Sequence, residues 1–136
     1  VVMAYEEAQV TIGSLVAGAD LSSYQYSPVK LSASLTVNRS TAGSDKHLGI
    51  LQNKPASGQA AEIAVSGVTK ARIGQSVTYG QILTADSSSD LVPTTTATDV
   101  AVAIALETIS LASTPTGDEF ATVLLLGPHA YAANAS

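Results

Sequence analysis

Residues 47–70 read HLGILQNKPASGQAAEIAVSGVTK, and this stretch decides the fold. A short apolar run around Ile50 is followed by the polar segment NKPASG at residues 53–58. Proline presets φ and glycine tolerates positive φ, so this segment is typical of a tight turn. Residues 61–73 then alternate between apolar and polar or small side chains, with a bend at Gly67. The stretch therefore predicts a β-hairpin.

The same two-residue period extends on both sides of this hairpin. Residues 29–37 alternate throughout, which predicts one strand with one buried face. Residues 81–84 and 91–93 are short strands around a polar turn, and residues 118–126 form the last strand. With about seven short strands between frequent turn signals, the chain is predicted to be all-β, a small barrel or sandwich of short antiparallel strands.

Residues 100–106 differ because both of their alternating faces are apolar. Val100, Val102, Ile104 and Leu106 alternate with alanines. This pattern indicates a strand that is covered on both sides or packs against a neighbouring subunit. An alanine-rich helix over residues 97–107 is the alternative.

The composition limits the possible classes of protein. Of 136 residues 46% are hydrophobic, but there is no Trp and only one Phe, so valine, isoleucine, leucine and alanine must build the core. Such a core gives modest stability, and association with other subunits would increase it. The sequence has no apolar run of the ~20 residues that a membrane-spanning helix needs, and we expect no membrane partner. The N-terminal sequence has no signal-peptide pattern, and the absence of Cys excludes disulfides; both features fit synthesis in a cytoplasm.

The chain divides into two parts by pattern. Residues 1–20 show no sustained period beyond a short Val10-Thr11-Ile12 run. We interpret them as an extended N-terminal arm, which could become ordered on a partner, ahead of a single β domain at residues 21–136.

Charge is unevenly distributed along the sequence. The net charge is −5 overall, and it is −2 over residues 1–45, +3 over residues 46–81 and −6 over residues 82–136. An acidic chain does not favour binding to nucleic acid, which depends on lysine and arginine. The segregation is either ordinary surface scatter or a bipolar surface that complements neighbouring copies or a partner.

Motifs for catalysis are missing from the sequence. His47 and His129 belong to no metal-ligand cluster, and no phosphate-binding loop or Gly-x-Ser-x-Gly motif occurs. The adjacent acids Glu6-Glu7 and Asp118-Glu119 would point to opposite faces of a strand. We therefore predict no catalytic, cofactor-binding or metal site and no enzyme activity. A Ser-His-Asp triad assembled in space, with either histidine, is the alternative.

Tyrosine and basic side chains are candidates for an interface with another protein. Tyr24 and Tyr26 would share a strand face, and tyrosine is enriched at interfaces; a role in the core is the alternative. Lys70 and Arg72 would also share a face, either as a patch for an acidic partner or as an ordinary solvated face. The predicted capsid or subunit interface residues are Tyr5, Val10, Ile12, Tyr24, Tyr26, Lys70 and Arg72.

Four motifs follow one another over residues 47–126, about three-fifths of the chain. They are Glu62-x-Ala64-x-x-Gly67-Val68 in the hairpin, GQILTAD at 80–86, IALE at 104–107 and GDEFATVLL at 117–125. In this order and spacing they resemble the capsid cement, or head decoration, proteins of tailed bacteriophages.

The resemblance implies an all-β protein that binds the outside of an icosahedral head, as a trimer near three-fold axes. There it would clamp capsid subunits against the pressure of packaged DNA. We therefore expect a virion protein that is made in the host cytoplasm, needs no cofactor, and has the major capsid protein and its own copies (a homotrimer) as partners. The alternative is a β-barrel carbohydrate-binding or adhesive module, suggested by the Ser/Thr-rich strands; a solvent-exposed aromatic cluster would favour it.

Overall fold

The computed structural model describes residues 7–111 and 119–126. Within these ranges the chain forms nine β-strands and no helix, so no helix of this part is long and apolar enough to cross a membrane. The strands are β1 (Glu7–Ala17), β2 (Pro28–Ala33), β3 (Thr36–Arg39), β4 (His47–Leu51), β5 (Ala60–Arg72), β6 (Ile82–Ala85), β7 (Leu91–Pro93), β8 (Ala103–Ala105) and β9 (Phe120–Leu125).

Five of these strands close into a barrel, which confirms the predicted all-β class. The strand order is β1-β3-β2-β4-β5, and β5 pairs with β1 to complete the ring. The β1–β3 pair is parallel and the β1–β5 pair is antiparallel. The interior is filled by small and branched apolar side chains: Leu15, Ala17, Leu21, Val29, Val37, Leu51, Ala61 and Ile63.

The other four strands extend outside this barrel from the second half of β5. Their order from β5 is β9-β8-β6-β7, and all these pairings are antiparallel. A bridge between Leu91 of β7 and Ile73, just after β5, brings the outer end of this sheet back to β5. The sheet thus encloses a second core, which includes Ala71, Ile73, Leu83, Leu91, Ala103, Val123 and Leu125.

The predicted hairpin of residues 47–70 is confirmed as β4 and β5, and it separates the two cores. Leu51 and Ile63 are paired and face the first core, whereas the next pair, Ile50 and Ala64, faces the second. Alternation of side chains along a strand produces this division. Gly67 has a φ of 95° at the point where β5 leaves the first barrel, so the bend predicted there uses a conformation that glycine adopts readily.

The prediction of one strand over residues 29–37 is wrong. The segment forms β2 and β3, joined by a tight turn in which Leu35 has a φ of 53°. Because the turn contains two residues, an even number, apolar and polar residues continue to alternate through it. The sequence pattern therefore shows no break at the turn. Leu35 belongs to the apolar half of that pattern, yet its side chain is 69% exposed at the tip of the turn.

Residues 7–17 of the predicted N-terminal arm lie in the barrel wall as β1. Val10 and Ile12 pair with Ser66 and Ile63 of β5, so the backbone of this run already has a partner within the chain. Leu15 is buried in the first core. Residues 1–6 lie outside the described ranges, and the boundary at residue 20 stays a prediction.

Candidate functional site

The outer face of the second sheet exposes a row of apolar side chains. Ile82 pairs with Ile104, Ile104 with Leu124, and Leu124 with Val68, so one side chain from each of β6, β8, β9 and β5 lies in register. Ile82 and Leu124 are 38% and 37% exposed. We call Val68, Ile82, Ile104 and Leu124 the apolar row. The strand neighbours of Ile82, Ile104 and Leu124 include members of the second core, so alternation directs the row towards solvent.

Basic and aromatic side chains continue the same face along β5. Lys70 and Arg72 follow Val68 at intervals of two residues, so they share its face, as the sequence pattern predicts. The cross-strand partner of Arg72 is Phe120 of β9. We call Tyr26, Lys70, Arg72 and Phe120 the basic corner. An apolar centre and a basic, aromatic edge therefore lie on one surface.

Tyr26 joins this corner from a turn, and not from a strand as the sequence pattern predicted. Its φ of 69° breaks the extended backbone ahead of β2, and the N–H of Arg72 donates a 2.9 Å hydrogen bond to its carbonyl oxygen. The ring lies edge-on to Phe120 with 5.8 Å between centroids, and the Lys70 Nζ atom lies 4.7 Å from the Tyr26 centroid. A cation over a ring contributes about 0.5–1 kcal/mol at an exposed site, so these contacts hold Lys70 at the surface.

A second cation–aromatic pair flanks the corner. The guanidinium carbon of Arg39 lies 4.8 Å from the ring centroid of Tyr24, which packs against the first core. Tyr24 and Tyr26, two of the three tyrosines nominated from the sequence, thus each have a cation over one ring face.

Arg72 forms the electrostatic centre of the corner. Its Nη1 donates a 2.9 Å hydrogen bond to the carbonyl oxygen of Ser23, and its Nε lies 3.3 Å from Oδ1 of Asp90. Burial raises the pKa of Asp90, while the positive charge of Arg72 opposes that rise. A basic and an acidic segment of the sequence therefore meet here. The hypothesis of two oppositely charged ends is weakened at this point, because Asp90 neutralises Arg72.

A pocket opens beside the basic corner. About 250 Å³ of it is accessible to water. This exceeds the ~10–15 Å³ that one water molecule requires but lies below the ~300–1,000 Å³ typical of small-molecule sites. Its walls combine hydroxyl, amide, aromatic and cationic groups: Ser22, Ser23, Gln25, Tyr26, Lys54, Arg72 and Phe120.

His47, a candidate triad member, lies in a buried hydrogen-bond network. Its Nδ1 is 2.8 Å from the Ser40 hydroxyl, and its Nε2 is 3.3 Å from the Thr84 hydroxyl. Because Thr84 donates its hydroxyl hydrogen to the Gly43 carbonyl, Nε2 carries the proton and Nδ1 accepts from Ser40. Burial lowers the pKa of His47 below its ordinary value. With the imidazole ring of His47 neutral, these hydrogen bonds link the first barrel to the second sheet.

This network has no access for a substrate. Ser40 is fully buried, and the cleft lined by His47 has no volume open to water. His129 lies outside the described ranges. Among the residues described, no group of three or more histidines and acids could hold a metal ion.

The structure brings four of the seven nominated interface residues close together: Tyr24, Tyr26, Lys70 and Arg72. Val10 is exposed on β1, whereas Ile12 is partly buried against the first core. Tyr5 lies outside the described ranges. The sequence reasoning missed Lys54, Phe120 and the apolar row. The signal for the row was present, however, because residues 100–106 and 120–126 are apolar on both alternating faces.

Comparisons with known proteins complete this description. No family model and no curated protein matches the chain. Among solved structures, the chain is similar to the N base of the head fiber protein gp8.5 of bacteriophage phi29, with a TM-score of 0.56. The match covers 87% of this chain and 94% of that chain, at 12% sequence identity. At this identity the likeness shows a common fold.

Proposed function

We propose that the chain is a structural protein of a tailed-bacteriophage head, which binds the outer capsid surface and stabilises it by bridging capsid subunits. The observation that carries the proposal is the shared fold, over most of both chains, with the base of a phage head fiber. The resemblance of residues 47–126 to head decoration proteins supports it independently. The partners are the major capsid protein and further copies of the chain, as a homotrimer on the virion.

The outer face of the second sheet supports a role in docking to another protein. Interfaces commonly have an apolar centre with few charges and a polar rim, and aromatic residues and arginine are enriched in them. The apolar row and the basic corner have this arrangement. Leu106, 43% exposed, lengthens the apolar part of the surface.

The stabilising mechanism is mechanical. A trimer that contacts several capsid subunits turns each further contact into an intramolecular event, so weak single contacts combine into strong attachment. Separating two capsid subunits then also requires these added contacts to break. Neither cofactor nor catalysis is part of this mechanism.

The two alternatives have less support from the same residues. Carbohydrate binding commonly uses open aromatic faces, and Tyr24 and Tyr26 each have one face covered by a cation. Nucleophilic catalysis requires a serine that substrate can reach, and the serine beside His47 is buried.

Sedimentation of particles from the native source tests the proposal. We expect the chain to travel with the particles at a fixed ratio to the major shell protein, and mild denaturant to release it before the shell opens. Purified chain added back should restore the resistance of stripped particles to heat. Recovery of the chain only in the soluble fraction, with no rebinding to stripped particles, would contradict the proposal.

A further inference from the structure

The pocket beside the basic corner has the chemistry of an anion site. Lys54 lies at its rim, exposed, in the turn between β4 and β5. Lys70 lies over the ring of Tyr26, which forms part of the wall. Ser23 adds a hydroxyl group to the lining, whereas the side chain of Ser22 is hydrogen-bonded to the carboxylate of Asp20. Among the described lining residues none is acidic, so the charge that the lining itself offers to a bound group is positive.

Arg72 restricts what kind of anion the pocket suits. Its Nη1 is bonded to the Ser23 carbonyl and its Nε faces Asp90, so its side chain is held in place by partners within the chain. Phosphate recognition by arginine commonly uses two parallel N–H donors of the guanidinium. Lysine acts as a point charge and pairs with a carboxylate or with a phosphate. The positive charge that Asp90 leaves uncompensated is therefore that of Lys54 and Lys70, which requires no bidentate partner.

Two further features favour protein over nucleic acid as the source of the anion. The chain has a net charge of −5, and binding to a nucleic acid requires many phosphates to be neutralised. The pocket also adjoins the apolar row through β5, whose Val68 and Lys70 share one face, and an apolar surface of this kind fits another protein.

We propose that this pocket binds carboxylate side chains of an acidic protein segment, with Lys54 and Lys70 as the cations that recognise it. The inference rests on the proposed docking function, and it specifies the chemistry of the partner at that face. An acidic loop of the partner pairs its carboxylates with these lysines while its apolar side chains cover the apolar row.

A titration of the full chain, ¹⁵N-labelled and followed by NMR at low salt, tests the inference. The probe is a capped hexaglutamate peptide, and capped hexaglutamine is the neutral control. We expect hexaglutamate alone to shift the amide signals of Ser22, Ser23 and Lys54. Lys54→Glu and Lys70→Glu should each raise the Kd by about fivefold, as expected for loss of a surface ion pair. Lys46→Glu, the same change at an exposed lysine outside the pocket, should leave the Kd unchanged.

Four results would overturn the inference. They are equal shifts with hexaglutamine, an equal weakening by Lys46→Glu, equal affinity for inorganic phosphate alone, and tighter binding of a single-stranded oligonucleotide than of hexaglutamate. The titration needs no particles. Its failure is therefore distinguishable from failure of the sedimentation experiment, which tests attachment to the head and does not depend on the pocket.

Discussion

The Nε atom of Arg72 lies 3.3 Å from Oδ1 of Asp90, and this ion pair joins the end of β5 to the turn that leads into β7. Only 19% of the Arg72 side chain and 10% of the Asp90 side chain are exposed. The distance exceeds the ~2.7–2.9 Å of a charge-assisted hydrogen bond. The pair thus acts mainly through charge, in a region where burial already raises the pKa of Asp90.

Replacing Arg72 with methionine should destabilise the fold in a pH-dependent way. The loss of its positive charge removes the attraction that lowers the pKa of Asp90, so that pKa rises further. When a carboxyl group has a higher pKa in the folded chain than in the unfolded chain, the fold loses stability as the pH rises through the folded pKa. We expect Arg72→Met to lower the free energy of unfolding by about 1–3 kcal/mol at pH 7 and by less near pH 4.5. Urea denaturation at both pH values measures this.

Lys46→Met is the matched control for that variant, because Lys46 is an exposed cation. It should change the free energy of unfolding by less than about 0.5 kcal/mol at either pH. A deficit of Arg72→Met that stays constant between the two pH values would contradict the role of Asp90.

Gly49 should not tolerate a side chain. A Cβ atom at this position would collide with the backbone carbonyl oxygen of Ala64 on the paired strand β5. Because backbone atoms of two paired strands cannot move apart cheaply, we expect Gly49→Ala to cost about 1–3 kcal/mol or more. Gly13→Ala is the control, since its Cβ would meet only Glu62, at 3.9 Å. Similar thermal melts for the two variants would show the close approach at Gly49 to be unimportant.

His47 should make the fold sensitive to mild acid. Burial lowers its folded pKa below the ordinary value of about 6.5, so the unfolded chain binds a proton more readily than the folded chain. Stability is therefore complete above that ordinary value and falls as the pH drops towards the folded pKa. We expect His47→Gln to be less stable at pH 7 but to have a flatter dependence on pH just below 6.5.

Lys46→Gln supplies the comparison for this experiment, because Lys46 is exposed at the surface. Measured by the same denaturation series, it should keep the slope of the wild-type chain. If His47→Gln also kept that slope, another group would be responsible for the sensitivity to acid.

A polar substitution in the apolar row should separate binding from folding. Leu124 lies in the centre of the outer face and is 37% exposed, so Leu124→Gln should change the free energy of unfolding little. Binding to stripped particles should weaken by about tenfold, as for a central interface residue. Leu35→Gln is the control, because Leu35 is also exposed but lies at the β2–β3 turn of the first barrel. Equal loss of binding in both variants would argue against this face.

The sequence pattern predicted local structure well where the period is interrupted by turn residues. Residues 47–70 contain proline and glycine at a turn, so both strands of the hairpin were predicted. Residues 29–37 contain no such interruption, and the turn at Leu35 was missed. The aromatic and basic pairs at Tyr24, Tyr26, Lys70 and Arg72 were found as two separate groups.

By itself, the sequence determined the all-β class, the hairpin of residues 47–70 and the shared face of Lys70 and Arg72, because these follow from a period of two along the chain. Only the tertiary structure decided that β1 closes a barrel, that β5 serves two cores, and that Tyr26, Lys70 and Phe120 meet. These contacts join residues that are far apart in sequence. They depend on strand order and on the way two sheets share β5, which no local period encodes.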